Sequence, residues 1–238
     1  MTSTFSPFDL RKVFDFAPLK SDVARHLRNI YAMLAVGIIA TAIGCVIDIY
    51  VYQIGGWVTM ILAGLAFSYA ATPQHQLRTK DTLYSSKALA FVAFAVLKGI
   101  SFGQLFRSAT FLNPSILPTA LFGTLAVFIC FSLAAVLASR RDMLFISAAA
   151  SSMLLFATLT SIATLFSRSP LLISVNLYVG LLTFICYVIF DTQLIITRFN
   201  SGDRDVVAGA AQLYYDLFAV FVRLVILLTN KEKRKRRD

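Results

Sequence analysis

The sequence predicts an all-α fold, a polytopic membrane bundle of six transmembrane helices around a seventh, central segment. Hydrophobic residues make up 58% of the 238 residues, charged residues make up 14%, and the mean hydropathy is +0.76. A soluble domain is nearer half apolar and a quarter charged, so this composition excludes soluble, disordered and disulfide-stapled classes. The apolar runs are also too long, and too poor in period-two alternation, to be the strands of a membrane barrel.

Seven apolar runs define the predicted elements, and each has the ~20 residues that a bilayer-spanning helix needs. In chain order they cover residues 30–49, 54–72, 88–107, 115–138, 143–166, 171–193 and 206–229. Residues that interrupt or begin a helix mark their borders, at Gly55–Gly56, Pro73, Asn113–Pro114, Arg140–Asp142, Pro170 and Ser201–Asp205. The predicted organisation is an amino-terminal segment, residues 1–29, a membrane-embedded bundle, residues 30–229, and a basic tail, residues 230–238.

The cations predict the topology. The amino-terminal stretch and every second connection carry nearly all of the connecting Lys and Arg residues, which places the amino terminus in the cytosol. Seven full spans would then put the basic tail on the far side. We therefore prefer six spans plus a re-entrant seventh segment, which keeps the tail cytosolic. Seven spans remain the alternative, because that segment is long enough to cross.

The basic tail follows directly on an apolar run. Its cations are Lys231, Lys233, Arg234, Lys235, Arg236 and Arg237. In a soluble chain such a run would suggest nucleic acid, but next to a membrane segment it favours anionic headgroups. We expect contact with membrane lipids or a simple role in orientation, and no nucleic-acid partner.

Ionisable residues inside apolar runs are the informative positions, because each costs at least ~3 kcal/mol at the bilayer centre. They are Asp191, Asp216, Lys98 and Arg223, with Asp48 at the end of the first run. Two lone acids on consecutive segments have few partners except each other or a cation. If they meet, they share one proton and titrate as a unit, which makes a pH switch. The alternative is that Asp191 ends its helix at the interface and Asp216 pairs locally.

The chain resembles the Bax inhibitor-1 family, specifically its eukaryotic endoplasmic-reticulum branch. The matching motifs keep their order from about residue 25 to the end. They are His26-Leu-Arg-Asn-Ile-Tyr-Ala, Asn113-Pro-Ser-Ile-Leu-Pro-Thr-Ala, Ala138-Ser-Arg-Arg, Asn176-Leu-Tyr-Val-Gly-Leu, Phe190-Asp-Thr-Gln-Leu-Ile-Ile, Gly202-Asp-Arg-Asp and Asp216-Leu-Phe-Ala-Val-Phe-Val-Arg.

The resemblance implies a pH-sensitive calcium leak in the endoplasmic-reticulum membrane that suppresses apoptosis and stress signalling, including the unfolded protein response. It implies that Asp191 and Asp216 form the pH sensor and that the last segment lines the ion path. The sequence departs from relatives at Lys98, where they carry a small or acidic residue. Bacterial relatives also place an arginine of the second span against the acidic pair, and residues 54–72 contain no charge. We hypothesise that Lys98 takes that arginine's place and shifts the working range toward acid pH.

Other functions stay open at this point. Calcium and protons are the expected ligands, with transient calcium at the acidic pair, no tight metal site and no cofactor. A non-conducting scaffold for apoptosis or stress regulators and a proton-coupled calcium exchanger are the alternatives. An intramembrane aspartyl protease is disfavoured, because residues 188–191 read Val-Ile-Phe-Asp where that class has Gly-x-Gly-Asp. We therefore expect no enzymatic activity.

Overall fold

The computed structural model describes residues 21–50, 56–72, 81–137, 140–167 and 169–236. Within these ranges the chain forms seven helices and no strand. The helices are α1 (Ser21–Tyr50), α2 (Trp57–Ala71), α3 (Asp81–Leu112), α4 (Ile116–Leu137), α5 (Arg140–Ser167), α6 (Pro170–Asn200) and α7 (Val206–Lys235). Six of them are long and apolar enough to cross a membrane, which confirms the predicted polytopic helical bundle.

The short helix of the bundle is α2, and it is shorter than the apolar run predicted over residues 54–72. It has 15 residues, which gives a length of about 22 Å, less than the roughly 30 Å of a hydrocarbon core. Gly56 precedes it, and residues 51–55 and 73–80 lie outside the described residues. The length of an apolar run therefore does not fix the length of the helix that forms within it.

Helix α7 is the central element. It packs against α1, α2, α3, α4 and α6, whereas α5 packs on α6 at the outside of the bundle. Its first turns bury Ala208, Gly209, Ala210 and Ala211, and side chains this small let neighbouring helices approach closely. The prediction of a central seventh segment is confirmed.

The seventh segment is not re-entrant. It is one uninterrupted helix of 30 residues, and its basic end lies near the starts of α4 and α6. Arg236 Nη2 donates a hydrogen bond to the carbonyl of Leu112, and Arg234 lines a cavity with Pro170. The start of α1 lies at the other end of α6, where His26 packs on Phe199 with 4.8 Å between ring centroids.

The basic end of α7 and the start of α1 therefore occupy opposite ends of the bundle, so the preferred arrangement with a tail beside the amino-terminal segment is wrong. The cation count favoured a turn in the seventh segment, but the residues of that segment form continuous helix. Arg237 lies outside the described residues.

The tightest helix pair is α1 with α3. A Cβ added to Gly44 would lie 2.1 Å from the carbonyl oxygen of Val96, and one added to Gly99 would lie 2.1 Å from that of Thr41. Both glycines thus let backbone meet backbone. The Gly99–Gly103 spacing in the sequence predicts close packing within the molecule, and this is confirmed.

Candidate functional site

The two predicted acids meet between α6 and α7. The carboxyl groups of Asp191 and Asp216 interact with each other across the interface between α6 and α7. Asp216 is buried, with 3% of its surface exposed, and its Oδ2 makes no hydrogen bond within the described residues. Two carboxylates that interact in a buried setting repel each other, so the arrangement favours one shared proton. Asp191 therefore does not simply end its helix at the interface.

Arg198 is the cation that acts on this pair. It follows Asp191 by two turns of α6 and interacts electrostatically with its carboxyl group. Arg198 Nη1 also donates to Gln212 Oε1 of α7 at 3.2 Å. Arg198 lies beyond the predicted apolar run 171–193, in a predicted connection, so this contact was not predicted. The seven-residue spacing from Asp191 is the signal that could have found it, because residues seven apart share a helix face.

Among the described residues Lys98 forms no ion pair with Asp191 or Asp216, and its hypothesised role beside the acidic pair stays a prediction. Its Nζ stands 5.6–5.9 Å from the centroids of four aromatic rings, which belong to Phe94, Phe102, Tyr215 and Phe218. Rings at this distance attract a cation through their negative faces. Two of the rings flank Asp216 in the sequence, so Lys98 contacts the helix that carries the acid and not the acid itself.

Arg223 also lies apart from the pair. Its guanidinium stacks over Phe184 with 4.5 Å between Cζ and the ring centroid, and Nη1 donates to the carbonyl of Ala219 at 3.2 Å. Gly180 of α6 leaves the space that this side chain fills. Arg223 therefore joins α7 to α6 beyond the acidic pair, toward the basic end of α7.

Sequence reasoning missed a second buried polar contact at the start of α7. Lys87 Nζ and Asp205 Oδ2 form an ion pair, and both side chains are almost completely buried. Lys87 Nζ also donates to the carbonyl of Thr72 at 2.7 Å. Asp205 is the N-cap of α7 and accepts from the backbone N–H of Ala208 at 3.0 Å. An aspartate just before an apolar run signals such a cap, whereas the lysine partner has no local signal.

A small polar cavity lies beside Asp205 at the start of α7. Its volume is about 10 Å³, and its polar lining residues are His26, Arg198, Asp203 and Asp205. This is about the space that one water molecule needs. Arg198 belongs both to the cavity wall and to the surroundings of Asp191. Arg198 is therefore the residue that the cavity and the surroundings of Asp191 have in common.

At the opposite end, Asp48 is buried with 2% of its surface exposed. Arg107 Nη2 donates to the backbone carbonyl of Asp48 at 3.0 Å and lies 3.4 Å from its Oδ2. A Cβ on Gly103 would collide with the Asp48 carboxyl group. The absence of a side chain at Gly103 therefore leaves the space that this carboxyl group occupies. Among the described residues no group of three or more His, Cys, Asp or Glu could hold a metal ion.

Comparisons with known proteins agree over nearly the whole chain. The family described as "Inhibitor of apoptosis-promoting Bax1" matches residues 23–233. The human protein named Bax inhibitor 1 is 34% identical over 238 residues, with 97% of this chain and 98% of that protein covered. The mouse protein of the same name shows the same identity and coverage. The Arabidopsis thaliana Bax inhibitor 1 is 37% identical over 225 residues, with 93% of this chain and 87% of that protein covered.

Proposed function

The chain belongs to the Bax inhibitor-1 family of multi-pass membrane proteins, and from that premise we propose that it is a pH-sensitive calcium leak of the endoplasmic-reticulum membrane that restrains apoptosis and stress signalling. The observation that carries the proposal is the buried contact between Asp191 and Asp216. Its partners are calcium ions, protons, membrane lipids and regulators of cell death. No catalytic step and no cofactor are involved.

The pair acts as a latch on the central helix. With one proton held between the two carboxyl groups, α6 and α7 are joined by a hydrogen bond. When the proton leaves, two like charges in a low-dielectric setting repel each other, and the interface admits water and cations. Because α7 contacts five other helices, a small displacement at Asp216 changes the packing of the whole bundle.

Calcium suits this site as a transient ligand. It prefers six to eight oxygen atoms, and two carboxylates with water and nearby carbonyls form only part of such a shell. A site of this kind releases the ion easily, so passage is slow and weakly selective. The positive charge of Arg198 beside the pair weakens the attraction of the site for cations. This also favours a slow leak over a fast channel.

The orientation follows from the cations. We place the amino terminus in the cytosol, so that the polar cavity beside Arg198 faces the cytosolic side. The basic end of α7, with Lys231, Lys233, Arg234, Lys235 and Arg236, then meets headgroups at the opposite surface. Attraction of such a cluster to anionic lipids is worth about 1 kcal/mol for each cation near the surface.

Calcium efflux from proteoliposomes tests the proposal. Purified wild-type protein is compared with Asp191→Asn and Asp216→Asn between about pH 6 and pH 8, a range that a coupled buried pair can reach. Asp22→Asn is the matched control, because Asp22 is exposed at the start of α1. We expect wild-type and control flux to rise with pH and both pair variants to lose that response.

Two outcomes would contradict the proposal. Flux no greater than that of empty liposomes for every variant removes conduction and favours the scaffold. Uphill calcium movement driven by an imposed proton gradient indicates an exchanger instead of a leak.

A further inference from the structure

Two apolar cavities form one groove between α1 and α4. One has a volume of about 340 Å³ and the other about 510 Å³, and Ile38 and Leu217 line both. Helices α1 and α4 do not pack closely against each other, so α7 forms the floor between them. The combined space is within the range of small-molecule sites in proteins.

The groove opens toward the surroundings of the bundle. Val46, Phe122, Ile129 and Leu133 line it and are more than half exposed. These apolar side chains belong to segments long enough to span a membrane, so the groove faces hydrocarbon. An apolar groove in that position is filled by a lipid component rather than by water.

One end of the groove is polar. Tyr31 and Ser132 line the smaller cavity, and within the described part of the chain their buried hydroxyl oxygens have no hydrogen-bond partner of ordinary geometry. The hydroxyl of Tyr31 interacts with the hydroxyls of Ser132 and Thr192, and Thr192 already donates to the carbonyl of Val188 at 2.7 Å. A buried hydroxyl without a partner is unfavourable. One further hydroxyl, as donor and acceptor at once, would give both oxygens a hydrogen bond of ordinary geometry.

The polar end lies at the level expected for the head of an amphiphile. Tyr31 is near the start of the first apolar run, and Ser132 is near the end of α4. From Tyr31 the groove continues along α1 to Val46, which is about 22 Å at the rise of a helix. A head at Tyr31 thus sits near the membrane surface while a long apolar body extends toward the centre.

We propose that this groove binds a sterol, with its hydroxyl between Tyr31 and Ser132 and its ring system over Leu217 and the aromatic floor of α7. None of the residues that line the two cavities is charged, so a phospholipid phosphate would find no counter-charge there. A flexible acyl chain loses conformational freedom when it is ordered in a groove, whereas a rigid ring system does not. Flat faces also suit the rings of Phe128, Phe106 and Phe218.

The site is tested with a cholesterol analogue that carries a photoactivatable group on its side chain. The full-length protein is labelled in phosphatidylcholine nanodiscs, and mass spectrometry maps the labelled peptides. We expect labels on the parts of α1, α4 and α7 that line the groove. Excess unlabelled cholesterol should compete, and dioleoylglycerol or additional phosphatidylcholine should not.

Variants separate the apolar body from the polar end. Ala42→Trp fills the larger cavity and should lower labelling by about tenfold or more. Ala148→Trp is its control, because Ala148 is exposed on α5 outside the groove. Tyr31→Phe keeps the ring that meets Phe128 and removes only the hydroxyl, so labelling should fall about three- to tenfold.

Several results would overturn the proposal. Labelling outside the parts of α1, α4 and α7 that line the groove would place the sterol elsewhere. Equal labelling of wild type and Ala42→Trp would exclude the groove. Better competition by dioleoylglycerol than by cholesterol would assign the groove to an acyl chain. Because Tyr31→Phe is nearly isosteric, its unchanged labelling would reject the hydroxyl contact even if Ala42→Trp folds poorly.

Discussion

Lys87 of α3 and Asp205 at the N-cap of α7 form an ion pair that is buried on all sides. The lysine also donates a hydrogen bond to the carbonyl of Thr72, just after α2. One ammonium group therefore connects α2, α3 and α7. Asp216 lies about three turns further along α7. The start of the central helix is thereby fixed, and any displacement of α7 at the acidic pair bends or pivots from this point.

Removing one partner of this ion pair should destabilise the bundle strongly. Lys87→Met leaves the Asp205 carboxylate buried without its counter-charge, which we expect to lower the free energy of unfolding by about 3–5 kcal/mol. Asp205→Asn keeps a good N-cap residue but leaves the ammonium group buried. The double variant should recover part of the loss, because no uncompensated charge remains.

Thermal unfolding in detergent measures these variants as a double-mutant cycle. Lys231→Met is the control, because Lys231 is exposed near the end of α7 and should change little. A Lys87→Met protein as stable as this control would show that the ion pair does not hold α7.

Alanine at the α1–α3 glycines should separate the two helices. The added methyl group at Gly44 or Gly99 would meet backbone at 2.1 Å, and backbone cannot move aside without shifting a whole helix. We expect losses of about 1–3 kcal/mol or more for each. Gly64→Ala on α2 is the matched control, because a Cβ there meets nothing within 4 Å.

In Gly64→Ala the better helix propensity of alanine should leave stability unchanged or raise it by up to about 1 kcal/mol. Detergent unfolding midpoints compare the three variants. Equal midpoints for Gly44→Ala and Gly64→Ala would mean that α1 and α3 are further apart than described.

The membrane bundle and the meeting of Asp191 with Asp216 could be predicted from sequence for the same physical reason. Charges within long apolar runs are costly, so few occur, and each must find a partner in the bundle. Both acids stand out against their runs and lie on consecutive helices. Two of the four rings around Lys98 could be predicted from the sequence, because Phe94 and Phe102 lie four residues to either side of it on α3. Its other two rings come from α7 and carry no local signal.

The Lys87–Asp205 pair and the course of α7 could not be predicted in this way. Lys87 and Asp205 border apolar runs, where charged residues are common and usually solvated. Their burial depends on how α2, α3 and α7 meet. The re-entrant prediction rested on cation placement and on the polar residues of the seventh run, whereas residues 210–229 contain no proline or glycine to break a helix. The uninterrupted helix-forming sequence of this segment therefore determined the course of α7, and the charges of the tail did not.

Lys98→Met should leave the pH dependence of calcium flux unchanged, because the lysine contacts four rings and not the acidic pair. A methionine thioether fits the same aromatic surroundings, so folding should be retained as well. Proteoliposome efflux across the pH range measures both wild type and variant. A displaced midpoint would identify Lys98 as an electrostatic partner of the pair.

Arg198→Gln should move the midpoint of flux to higher pH. The guanidinium interacts electrostatically with Asp191, and a nearby cation favours the ionised carboxylate. Without it, the pair holds its proton until the solution is more basic, by up to about one pH unit. Since flux rises as the pair ionises, the whole curve shifts toward alkaline pH and keeps its shape.

Glutamine at residue 198 is also a hydrogen-bond donor, as is Arg198, which donates to Gln212 at 3.2 Å in the wild type, and we expect the packing of α6 on α7 to survive. Lys98→Met removes a positive charge from another neighbour of α7 and is the matched control. Three other titratable residues, His26, Asp203 and Asp205, line the cavity beside Arg198, so His26→Gln serves as a second control that should leave the midpoint in place. If Arg198→Gln and both controls gave the same curve as wild type, the pH response would not arise at the acidic pair next to Arg198.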